Sequence, residues 1–222
     1  MAARTKRLIA LVVLAAAIAI DANAQSARRI ISLVPALTEM LFAIGAGPQV
    51  VAVSSYDEFP PEVTKLPRVG ALLDPDVERI LMLKPDLVLT YGSQGALEAQ
   101  LDAAKIRTFS YRHGGIDAML QTFRDLGVAV GRPADGQRKA AELQAHLKAV
   151  ASRVAGRPRP RVLLVFGRQP QSLQQVYVSG GAGFLHEVLT VAGGANVFAD
   201  VPRESVQPSH ETLITRPADV II

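Results

Sequence analysis

The sequence predicts an α/β fold of two Rossmann-like lobes with parallel sheets and a long helix between them. Three observations predict it. Short apolar, β-branched runs alternate with helical spacings, the order that builds parallel sheets covered on both faces. Two segments read as copies of one another at a constant offset of 133 residues. They are PDVERILMLKPDLVL, from Pro75 to Leu89, and PSHETLITRPADVII, from Pro208 to Ile222. Between the two halves, residues 116–154 carry helical spacing and no strand pattern.

The elements follow in chain order. RIISLV (29–34) reads as a buried strand ending at Pro35. A helix is expected over 38–44, with Met40, Leu41 and Ile44 on one side and Gly45 and Gly47 closing it. VVAV (50–53) is a second strand, and SSYDEFPP (54–61) a loop stiffened by its prolines. Asp74-Pro75 is expected to open a helix, with Asp as cap and Pro in the first turn. A strand over 86–90, a helix over 96–104 and a strand over 108–111 complete the first lobe. Ala140, Leu143, Leu147, Val150 and Val154 recur at steps of three and four, which predicts one helix over 134–155. After the stiff connector GRPRP, strands are expected over 162–166 and near 177–178, and a helix over 184–192. A second repeat pair, LTEMLFAIGAG against FLHEVLTVAGG, sets Glu39 against Glu187 and Gly45 against Gly193. Set against its twin, the segment ending at Ile222 stops within a strand, so the C-terminal lobe reads as incomplete.

The first 24 residues read as a cleaved leader. Arg4, Lys6 and Arg7 form a positive start, Leu8 to Ile20 is apolar, and Ala22-Asn23-Ala24 is an A-x-A cleavage signal. The expected organisation is therefore a signal peptide over 1–24 and an N-terminal lobe over 25–115. A connecting helical segment over 116–158 and a C-terminal lobe over 159–222 follow. The leader holds Arg4, Lys6, Arg7 and Asp21, leaving 21 basic and 19 acidic residues of the 24 and 20. That near balance, with no basic stripe, argues against nucleic acid. No cysteine is present, so neither a disulfide nor a lipid-modified cysteine is available. The product is expected to be soluble in the periplasm, exported with cleavage near Ala24.

No P-loop, GxGxxG, GxSxG elbow or HExxH occurs. The four histidines (His113, His146, His186 and His210) show no i, i+4 pair. A secreted α/β hydrolase or metal-dependent enzyme would need a nucleophile, a base and an orienting group, and no such set is visible.

The blocks RIISLVPALTEMLFAIGAGPQVVAVSSYDEFPPEVTKLPRVG, PDVERILMLKPDLVL, FLHEVLTVAGGANVFADV and ETLITRPADVII carry a resemblance. In this order they are similar to the periplasmic substrate-binding proteins of ABC importers for vitamin B12, haem and iron-siderophore chelates. The loop at 54–61 and the PDVERI block are most like the cobalamin-binding branch. The resemblance implies a helical-backbone metal-receptor fold, its two lobes joined by one rigid helix with a chelate held between them: cobalamin first, haem or a ferric siderophore as alternatives. It implies no enzymatic activity, no cofactor beyond the transported ligand, no structural metal, and a monomer that meets a dimeric permease. By block match the residues facing permease arginines are Glu78 and Glu211, the acids the repeat also pairs.

The same resemblance implies ligand contact by Tyr56, in the loop after the second strand, and by Tyr91, after the third. Pro35 and Ala36, at the end of the first strand, are expected to line the cleft by backbone approach. Leu72 stands where the cobalamin branch often carries tryptophan, a residue this chain lacks altogether. Arg168 is a candidate for an anionic group on a siderophore or haem propionate. A carboxylate in a helix first turn is also favoured by the helix dipole alone, which leaves a purely local reading of Glu78 and Glu211 open.

Overall fold

The structure, a computed structural model, describes residues 26–170, 172 and 174–222. The expected leader over 1–24 lies outside the described residues. The chain divides into two compact units. One holds the chain up to Arg112 together with Thr122–Lys139, and the other holds His113–Gln121 and Ala140–Ile222.

The first unit is built on a four-stranded parallel sheet of order β2-β1-β3-β4. Its strands are β1 (Ile30–Ser32), β2 (Val50–Val53), β3 (Leu87–Tyr91) and β4 (Arg107–Tyr111). Helices α1 (Pro35–Ala43), α2 (Val77–Met82) and α3 (Gly95–Ala103) connect them. Ile31, Leu33, Ala52, Val69, Ile80, Val88, Leu97 and Leu101 form a buried core against this sheet. Each valine, leucine or isoleucine among them contributes about 1.5–3 kcal/mol when fully withdrawn from water.

Two helix starts differ from expectation. Helix α1 begins at Pro35, three residues before the predicted start, because proline at the first helical position loses no hydrogen bond. Helix α2 is capped by Asp76, whose carboxylate accepts the Arg79 N–H at 2.9 Å. Asp74 and Pro75 lie before that cap, with Pro75 bridging to Gly70.

Helix α4 (Ile116–Ala129) and helix α5 (Pro133–Val154) follow, α5 within one residue of the predicted 134–155. Where they cross, a side chain on Gly136 would meet the Phe123 carbonyl at 2.4 Å. The two backbones approach closely there because glycine stands on both sides, at Gly127 and Gly136.

The second unit holds two sheets. The parallel one has the order β10-β5-β8, from β5 (Arg161–Leu163), β8 (Ala195–Asn196) and β10 (Val220–Ile221). The other, of order β6-β7-β9, is antiparallel: β6 (Val165–Gly167), β7 (Tyr177–Ser179) and β9 (Ser205–Val206). The single strand expected over 162–166 is thus two strands, divided at Leu164 and placed in different sheets. No helix separates β6 from β7, so the chain returns antiparallel. Helix α6 (Gly183–Val191) and helix α7 (His210–Thr215) complete the unit. Its core is Leu163, Val176, Val178, Val197 and Phe198.

The repeats are visible in three devices. Helices α1 and α6 both stop at a glycine with positive φ, +75° at Gly45 and +86° at Gly193. In each, the next N–H folds back onto the helix, Ala46 to Leu41 and Gly194 to Leu189. The caps Asp76 and Ser209 also stand at the 133-residue offset, and Ser209 accepts the Thr212 N–H at 3.1 Å. The third device is the paired aspartate. The Asp86 carboxylate accepts the backbone N–H groups of Arg28 and Arg29, and Asp219 accepts that of Arg161. In return the Asp86 and Asp219 N–H groups donate to the carbonyls of Arg29 and Arg161. Each aspartate so ties the start of one parallel strand to the start of its neighbour.

Candidate functional site

Open α/β sheets present their ligand-facing loops at the carboxyl ends of the strands. In the first unit that edge collects the loops after β1, β2 and β3. Pro35 and Ala36 leave β1, with Pro35 half-buried and Ala36 exposed. The loop after β2 carries Tyr56, 76% exposed, on a well-bonded base. Within it the buried Asp57 accepts the Ser54 N–H at 2.9 Å and the Ser54 hydroxyl at 2.6 Å. Arg68 donates to the carbonyls of Ser54 and Asp57 at 2.8 and 2.6 Å. These bonds hold the base of the loop, while Tyr56 and Phe59 project; Asp57 Oδ1 is buried there without a hydrogen-bond partner.

The segment holding Leu72 is tied to that loop by the Ser55 N–H, which donates to the Gly70 carbonyl at 2.7 Å. Leu72 is 38% exposed and its neighbour Leu73 is 94% exposed. Tyr91 ends β3, half-buried, in register with Tyr111 of β4. Their rings meet edge to face with centroids 5.8 Å apart. An edge of exposed tyrosine, phenylalanine and leucine suits a broad, largely apolar ligand face better than a small ion.

Glu78 and Glu211 are exposed, each in the first turn of its helix, α2 and α7 respectively. Arg168 follows β6 and lines an apolar groove of about 520 Å³ with Leu163, Val176, Leu213, Ile214 and Ile221. Sequence reasoning missed Phe59 and Leu73. It also missed Phe166 and Tyr177, 49% and 38% exposed, whose rings lie 6.4 Å apart in the second unit. Phe166 lines a cavity of about 230 Å³ with His113, Phe184 and Glu204. Phe59 was visible as a loop aromatic and Phe166 and Tyr177 as aromatics in short apolar runs, whereas Leu73 carried no such signal. Among the described residues no group of three or more His, Cys, Asp or Glu is placed to hold a metal ion.

The family model described as periplasmic binding protein matches residues 30–222, nearly the whole described chain. The chain belongs to the periplasmic binding protein family. This periplasmic binding protein is 36% identical over 199 residues to the vitamin B12-binding protein of Salmonella typhimurium (strain LT2), spanning 89% of the chain and 72% of that relative. Among solved structures it is similar to a periplasmic haem-binding protein from Roseiflexus sp. RS-1, with 31% identity and TM-score 0.75 over 88% of this chain and 76% of that one. It is also similar to the periplasmic vitamin B12-binding protein of Vibrio cholerae, with 28% identity and TM-score 0.73 over 88% and 75% of the two chains. The expected α/β class with parallel sheets holds; the antiparallel three-stranded sheet is an addition to it. No helix among the described residues is long and apolar enough to cross a membrane.

Proposed function

We propose that this protein is the substrate-binding component of an ABC importer, capturing a metal chelate in the periplasm and passing it to a membrane permease. Cobalamin is the leading ligand. The observation that carries the reading is the match to vitamin B12-binding proteins at 36% and 35% identity over about nine-tenths of this chain. The aromatic and aliphatic side chains of Tyr56, Leu72 and Tyr91 support it, since a corrin ring offers a wide face to such side chains. Pro35 and Ala36 approach the ligand through their backbone, and Arg168 is kept for an anionic group. Residues 1–24 act as the export signal, and the protein works as a monomer without catalysis. A haem ligand is the second reading, favoured by the Roseiflexus haem-binding relative at 31% identity.

Titration calorimetry with cyanocobalamin, haemin and a ferric hydroxamate separates the ligands. Tight binding of cyanocobalamin alone is the expected result, and tight binding of haemin alone would replace cobalamin with haem. Permease docking rests on Glu78 and Glu211, one from each copy of the repeat, suited to a two-fold symmetric partner. The double reversal Glu78→Lys, Glu211→Lys is expected to abolish uptake in cells while leaving ligand binding intact. Uptake that survives the double reversal refutes the docking assignment.

A further inference from the structure

Gln94 occupies the N-cap of α3, yet its side chain makes no capping bond to that helix. Glutamine is not among the favoured caps, which are Ser, Thr, Asp and Asn. Its side chain is instead turned back to the carboxyl edge of the sheet and is 7% exposed. Oε1 accepts the Tyr91 N–H at 2.9 Å, and Nε2 donates to the Leu72 carbonyl at 3.0 Å. The two partners fix the orientation of the amide, because one is a donor and the other an acceptor. A single buried side chain therefore joins two rim residues from loops 19 positions apart in sequence. No other hydrogen bond recorded among the described residues joins the 70–75 segment to the end of β3.

We infer that Gln94 is a positioning residue that holds Leu72 and Tyr91 at a set spacing before the ligand arrives. The inference rests on the reading of this edge as ligand-binding. A glutamine does this and a Ser or Asp cap does not, because the bridge needs a donor and an acceptor on one long arm. Preorganising the two residues lowers the ordering cost of binding.

Two variants separate the arms. Gln94→Ala removes both bonds. Gln94→Glu keeps an acceptor for the Tyr91 N–H and loses the donor to Leu72. Amide hydrogen exchange is measured on each, with cyanocobalamin titrated by calorimetry. Gln94→Ala is expected to speed exchange at Tyr91 and to weaken binding roughly five- to tenfold, the range of one or two neutral hydrogen bonds. Gln94→Glu is expected to preserve Tyr91 protection and still weaken binding. Wild-type affinity in Gln94→Ala, together with faster Tyr91 exchange, would show a merely structural side chain and overturn the proposal. Unchanged Tyr91 exchange in that variant would remove the tie itself. If the wild-type protein bound none of the three chelates, the functional reading and the ligand role of Gln94 would fall together. The exchange pattern would still report whether the tie exists.

Discussion

The two copies of the repeated block share local chemistry and differ in burial. In the first copy β3 lies between β1 and β4, and Leu87, Val88 and Leu89 are fully buried. In the second, β10 pairs with β5 among the described residues. The helices show the contrast: Ile80 of α2 is buried, whereas α7 has no buried residue. Caps and aspartate ties recur because they depend on residues close in sequence or on one neighbouring strand. Burial does not recur because it depends on what else packs on the element. Local pattern therefore sets the type of an element, and its neighbours set how much that element contributes to stability.

Paired substitutions break or sharpen this contrast. The largest difference is expected at Ile80 and its repeat partner Leu213. Ile80→Ala should cost about 3 kcal/mol by leaving a cavity, and Leu213→Ala, at a partly buried position, about 1 kcal/mol. Urea unfolding midpoints compare the two, and equal losses would deny that burial distinguishes the copies. The aspartate ties come next. Asp86 receives N–H groups from two residues and Asp219 from one. Asp86→Ala should cost about 2 kcal/mol and Asp219→Ala about 1 kcal/mol, again by urea unfolding. The caps should not differ: Asp76→Ala and Ser209→Ala are each expected to cost about 1 kcal/mol. Thermal melts giving clearly unequal losses would show that the copies differ even in their local devices.

The smallest effect concerns an ion pair found only in the second copy. Arg216 closes α7, donates to both oxygens of Asp200 at 2.5 and 2.9 Å, and lies 4.8 Å over the Phe198 ring. Its counterpart in the first copy is Leu83, whose carbonyl accepts from Arg29. The Arg216 hydrogen bond holds the Asp200 carboxyl below the usual carboxylate range. Its contribution is therefore complete above the ordinary aspartate pKa near 3.8 and is lost as pH falls through the lower folded value. Asp200→Asn should lower stability slightly at neutral pH and flatten the acid side of the stability curve below about pH 4. An unchanged acid limb would remove the pair from the account.

Much of the fold was legible because alternation, proline and glycine are local signals. Helix α5 lies within one residue of its predicted ends at both termini. The start of α2 was misplaced because Asp74 and Asp76 flank Pro75 and both suit a cap; only the contact with Arg79 distinguishes them. The antiparallel sheet was illegible because its strands are two or three residues long, too short for periodicity. Strand ends could be read, so Tyr56 was expected in the loop after the second strand and Tyr91 after the third, where Tyr56 follows β2 and Tyr91 ends β3; Leu72 came from the resemblance alone. Gln94 could not be read, since a glutamine at a helix start shows nothing of partners three and 22 positions away.

The aspartate ties carry a kinetic consequence. Arg28 to Asp86 and Arg161 to Asp219 are both separations of 58 residues. Closing either loop carries the same chain-entropy penalty, because that penalty depends on loop length. Neither half must wait for the other to bring together the two parallel strands that its aspartate ties. Duplication has thus preserved a contour length as well as residues, and refolding from urea should start in both halves at similar rates.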